Sequence, residues 1–162
     1  MALVLVACGG APAAQPTTVA NGHAHAHGHN ASDHNHARGK MLLASDGTTN
    51  ALLTAHLAKA GNELDIFFDR GEGNAVALPA TAIIGKVMGS GDDTQPLRFE
   101  CAPADERPAT ERPGTCSHYV AKAAWIKPGD TLVVTATVTV DGKDVPFTWR
   151  EFNPHKYAHH EE

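Results

Sequence analysis

From Lys40 to the end of the chain, apolar and polar residues alternate in short runs broken by turn-forming residues. The clearest run is Thr131 to Val140. Leu132, Val134, Ala136, Val138 and Val140 fall on one side, and Thr131, Val133, Thr135, Thr137 and Thr139 on the other. A period of two over ten residues predicts a half-buried antiparallel strand. Asp141-Gly142 follows as a two-residue hairpin turn, and Val145, Phe147 and Trp149 alternate on a returning strand. Similar runs cover Ala51 to Ala58, Glu63 to Asp69, Val76 to Leu78, Thr81 to Met88, Leu97 to Cys101 and His118 to Trp125. Lys127-Pro-Gly-Asp130 reads as a type II turn, with Pro and Gly in its central positions. Seven or eight short strands at this spacing predict an all-β fold, a small antiparallel β-sandwich of the immunoglobulin-like kind.

Residues 9–39 break the pattern. They are Gly, Ala, Pro, Asn, Thr and His without apolar periodicity, too poor in apolar surface to offset the entropy of ordering. The chain therefore divides into an apolar N-terminal stretch over 1–7, a disordered His-rich tether over 8–39, and a β-sandwich with a His-rich tail over 40–162.

Three cysteines occur, at 8, 101 and 116. Between Cys101 and Cys116 lies a polar segment with three prolines that cannot pack a core. A disulfide across it would close a loop of about 15 residues, worth roughly 3 kcal/mol in the chain-entropy model, and would imply an exported protein. The alternative is two reduced thiols. A cysteine zinc site is disfavoured, because no Cys-x2-Cys pair exists.

Eleven histidines are the chemical signature of the chain. Six of them, His23, His25, His27, His29, His34 and His36, fall within fourteen residues. Neutral imidazole binds zinc, copper and nickel. In an extended segment alternate side chains share a side about 6.5–7 Å apart, so a bend lets two or three histidines converge on one ion. A second group closes the sequence: His155, His159 and His160, followed by Glu161 and Glu162. On a helical turn beginning near Pro154, His155 and His159 would share a face; the competing reading is a frayed polar tail. His56 and His118 lie in strand-like runs and gain weight as ligands only if the fold brings them beside the C-terminal histidines. A polar linker with incidental histidines is the bland reading of the tether.

Other chemistries are disfavoured. The net charge is −5 without a basic stripe, which argues against nucleic acid. There is no Gly-x-Ser-x-Gly nucleophile turn, no EF-hand spacing and no His-Glu-x-x-His protease motif. Three methionines without a Met-x-Met run disfavour a thioether copper(I) carrier. The expectation is a protein that is not an enzyme.

The run Leu5-Val6-Ala7-Cys8 resembles the lipobox of bacterial lipoproteins, although no Lys or Arg precedes it. The resemblance implies cleavage before Cys8 and a lipid on its sulfur. Together with the His-rich tether and the small all-β domain, the layout resembles bacterial periplasmic metal-binding lipoproteins. That resemblance implies a zinc, copper or nickel ion as the bound species, a membrane attached through the lipid, and a metal-efflux component as partner. With Gly9 rather than Asp after Cys8, it implies the periplasmic face of the outer membrane. The rival expectation is an exported β-sandwich module that binds a protein or a glycan.

Overall fold

The computed structural model describes residues 40–59, 61–71, 74–89 and 93–159. Its strands are β1 (Leu42–Ser45), β2 (Asn50–Ala58), β3 (Gly61–Asp69), β4 (Leu78–Pro79), β5 (Ile83–Met88), β6 (Thr94–Cys101), β7 (Thr115–Cys116), β8 (His118–Lys122), β9 (Leu132–Val140), β10 (Lys143–Phe152) and β11 (Ala158–His159). The fold is all-β. The main sheet runs β1-β2-β3-β8-β6-β5-β9-β10, with β11 added to β2, and β4 pairs with β7 apart from it. β6 joins the two halves: Thr94 to Phe99 pair with β5, and Glu100 and Cys101 pair with β8. The halves enclose one core, which includes Leu53, Ile66, Phe68, Phe99, Tyr119, Val134, Phe147 and Trp149. The sandwich expected from the sequence is present. Its order makes β1, β2 and β3 successive neighbours, a local meander unlike the ABED and CFG order of immunoglobulin domains.

Alternation explains the inner face of β9, where Leu132, Val134, Ala136, Val138 and Val140 are all buried. The β9–β10 hairpin turns on Asp141 and Gly142, with φ of 47° and 77°. Positive φ at both central residues is the type I′ requirement, and its twist matches that of the strands it joins. On β10, strict alternation from Phe147 and Trp149 would drive Glu151 into the core. The register instead shifts between Trp149, opposite Val134, and Phe152, opposite Leu132. Glu151 takes a left-handed φ of 56° there, and the extra residue swings Phe152 inward.

The Lys127–Asp130 turn forms, with the Asp130 amide donating to the Lys127 carbonyl at 3.1 Å. It is not type II, since Gly129 is absent from the positive-φ residues. The Asp130 carboxylate closes the turn by accepting from the Lys127 amide at 2.9 Å, and Pro128 is equally suited to the second position of a type I turn. At Gly85 on β5 a Cβ would lie 2.8 Å from the Thr135 carbonyl oxygen of β9, so glycine permits the close approach of these two strands.

Cys101 and Cys116 form a disulfide with their Cα atoms 5.9 Å apart. It closes a loop that is organised by polar contacts rather than by apolar packing. Arg107 donates to the Glu111 carboxylate at 2.8 Å and to the Thr115 carbonyl at 3.1 Å. Beside this loop the Tyr119 hydroxyl donates to the Pro79 carbonyl at 2.7 Å. Burial raises the Tyr119 pKa, the Glu111 carboxylate raises it further, and Arg107 opposes them, leaving the phenol at about 12. An unfolded tyrosine ionises near 10. Above that pH the unfolded chain has lost a proton that the native state retains, so stability falls as pH rises. Chemical denaturation of the wild type between pH 10 and 12 is expected to show this decline, and the Tyr119→Phe variant to lack its one-proton component.

Candidate metal-binding edge

The C-terminal segment does not fray within the described residues. The Tyr157 amide donates to the Asn153 carbonyl at 3.1 Å, and the Lys156 amide donates to the Asn153 side chain at 2.8 Å. These bonds make a single turn. The chain then extends instead of continuing as a helix, so the helical face expected for His155 and His159 is not built. The reason is tertiary. The Ala55 amide of β2 donates to the Tyr157 carbonyl at 3.0 Å, and the Thr54 hydroxyl donates to the same oxygen. The Tyr157 ring stacks on the buried Phe152, with centroids 5.5 Å apart, while Ala158 is fully buried. These contacts hold β11 as a short parallel strand on the edge of β2.

The register of that pairing is the main functional observation. Ala158 lies opposite Ala55, and His159 opposite His56. Ala55 and Ala158 face the core, so by alternation the next position on each strand falls on the outer face. On its other side His56 pairs with Glu63 of β3, which in turn pairs with Lys122 of β8. One outer row therefore reads His159, His56, Glu63, Lys122.

β1 occupies the same edge of β2, end to end with β11. Leu42 lies opposite Leu53, and Ala158 opposite Ala55. The chain that precedes β1 therefore joins the fold beside Tyr157. His23, His25, His27, His29, His34 and His36 lie outside the described residues, as do Cys8 and His160. His155 is exposed, and its amide donates to the Pro128 carbonyl at 3.0 Å.

His118, the other strand histidine, is positioned by a different set of contacts. Its Nε2 lies 3.0 Å from Asp65 Oδ1 and its Nδ1 3.2 Å from the Glu106 carbonyl oxygen. Its ring stacks on Phe67, with centroids 4.1 Å apart. Both ring nitrogens are occupied and the residue is buried, so it pins the disulfide loop to the sheet. Among the described residues, no three His, Cys, Asp or Glu side chains form a metal-holding group.

An open groove of about 260 Å³ lies elsewhere, lined by Val87, Gly89, Asp93, Gln95, Trp125, Asp130 and Leu132. Trp125 is 44% exposed there.

The fold and its edge define a disulfide-stapled all-β domain whose C-terminal histidine segment is folded back beside a strand histidine. Comparison with protein-family models, with curated proteins and with solved structures finds no match in any of the three.

Proposed function

We propose that the protein is a non-enzymatic, exported metal-binding protein that captures or buffers zinc, copper or nickel ions outside the cytosol. Cys8 would carry the lipid that holds it to the periplasmic face of the outer membrane, and a metal-efflux component would be its partner. The carrying observation is the density of imidazole at one end of the chain, six histidines within residues 23–36. The Cys101–Cys116 disulfide supports export, because such bonds persist outside the reducing cytosol. The tether ligands would collect ions with modest affinity and fast exchange, since a disordered site must order itself to bind.

Calorimetric titration of the full chain with zinc at pH 7.5 tests this reading. The wild type is expected to take up more than one ion. Replacing His23, His25, His27, His29, His34 and His36 together by alanine is expected to remove most of that capacity. Lowering the pH to 5 is expected to release bound ion, because imidazole must be deprotonated to ligate. A wild type that binds no zinc, copper(II) or nickel would overturn the reading.

Glycan recognition is the second reading, favoured by one observation: the half-exposed Trp125 ring beside Asp93, Gln95 and Asp130. An aromatic face flanked by hydrogen-bonding groups suits a sugar ring.

A further inference from the structure

We infer that the edge of β2 carries a metal site of the folded domain, in which His56 and His159 are the two imidazole ligands of one divalent zinc-like ion and Glu63 supplies a carboxylate oxygen. The inference rests on the metal-capture reading above and names the place where the domain would receive the ion.

Register is the first support. His56 and His159 are paired positions on neighbouring strands, and neighbouring strands lie about 4.7–4.9 Å apart. Zinc–imidazole bonds are about 2.0–2.1 Å long, so two histidines at one level of a sheet can reach a common ion without backbone movement. The second support is the donor type. Glu63 flanks His56 on its other side, and two imidazoles with a carboxylate form a nitrogen–oxygen set that zinc accepts with a coordination position left for water. Third, the pairing is anchored on the side away from the histidines. Ala158 is buried and Tyr157 is fixed by its carbonyl bonds and its stacking on Phe152. The site is thus preorganised by contacts that do not need the ion.

The tether joins the fold at the same edge. His36 lies five positions before Met41, and five residues span at most about 17 Å. An ion held by His34 and His36 is therefore within covalent reach of the edge, where a short flexible connection raises the effective concentration of one set of ligands for the other. Transfer from the tether to the edge then needs no dissociation into bulk solvent.

The test uses the full chain with the six tether histidines replaced by alanine, titrated with zinc sulfate by calorimetry, with thermal melts in the presence and absence of zinc. This variant is expected to bind one equivalent with a Kd in the micromolar range or tighter, and zinc is expected to raise its Tm. Adding His56→Ala or His159→Ala is expected to weaken binding at least tenfold and to abolish the zinc-dependent rise in Tm, while the Tm without zinc stays unchanged. The His56→Ala/His159→Ala pair is expected to lose less than the product of the two single losses, because both ligands serve one ion. If the tether-less variant binds no zinc while the wild type does, or if His56→Ala leaves the Kd unchanged, the edge site is overturned and metal capture by the tether stands. If the wild type binds none, both readings fall together.

Discussion

Replacing Trp149 by alanine is expected to cost about 3–5 kcal/mol of stability, the range for deleting a fully buried large aromatic side chain. Trp149 is 1% exposed. Its ring lies near that of Phe147, with centroids 6.2 Å apart, and its indole nitrogen donates to the Ala51 carbonyl at 3.0 Å. Ala51 belongs to β2 and Trp149 to β10, so this one side chain links the two halves of the sandwich through both packing and a hydrogen bond. Alanine would leave a cavity and an unpaired carbonyl in the same place. Trp149→Phe separates the two effects: it retains most of the apolar volume and is expected to lose about 1–3 kcal/mol, mainly from the unsatisfied Ala51 oxygen. Urea denaturation followed by circular dichroism would read both. A loss under 1 kcal/mol in the alanine variant would mean that the halves are held together elsewhere.

Breaking the disulfide is expected to remove about 3 kcal/mol, the loop-closure contribution of a cross-link spanning about 15 residues. The Cys101→Ser/Cys116→Ser variant tests this without reductant. The bond joins the end of β6 to β7. Between them the loop is held by Arg107, Glu111 and the Glu106 carbonyl that meets His118. Most of these contacts are polar, and the net worth of such bonds is small because water competes for each of them. The staple is therefore expected to carry most of the loop's order. Hydrogen exchange should speed up first over residues 102–115, ahead of β9 and β10. Unchanged exchange in that loop would show that the Arg107–Glu111 pair is sufficient to hold it.

Metal capacity and stability are expected to separate. The six tether histidines precede the first strand, so replacing them should leave the unfolding midpoint without metal where it is. Trp149 and the disulfide lie away from the β2 edge in sequence and should alter zinc binding only as far as they unfold the domain.

The strands were legible where side chains alternate within one segment. β9, its Asp141-Gly142 turn and the first half of β10 follow from apolar period and positive-φ preference alone, because those signals act between residues close in sequence. The disulfide was legible too, from two cysteines flanking a segment unable to pack. Three features were not. β1 is four residues long with Leu43 exposed, too short for a period to declare itself. The bulge at Glu151 breaks the alternation that the sequence sets up, since Phe152 and the buried Leu132 opposite it outweigh one strained φ. His118 reads like any strand histidine until Asp65, Phe67 and the Glu106 carbonyl are seen around it.

The histidine chemistry divides along the same line. Which residues can ligate a metal is a property of the side chains, and the two His-rich stretches announce it without any fold. Which of them stand together is a matter of pairing across the chain. His56 and His159 are separated by more than a hundred residues, and no local period links them. They become neighbours because Ala158 buries opposite Ala55 and Tyr157 stacks on Phe152, a gain in apolar burial that exists only once β2 and the core beneath it are in place.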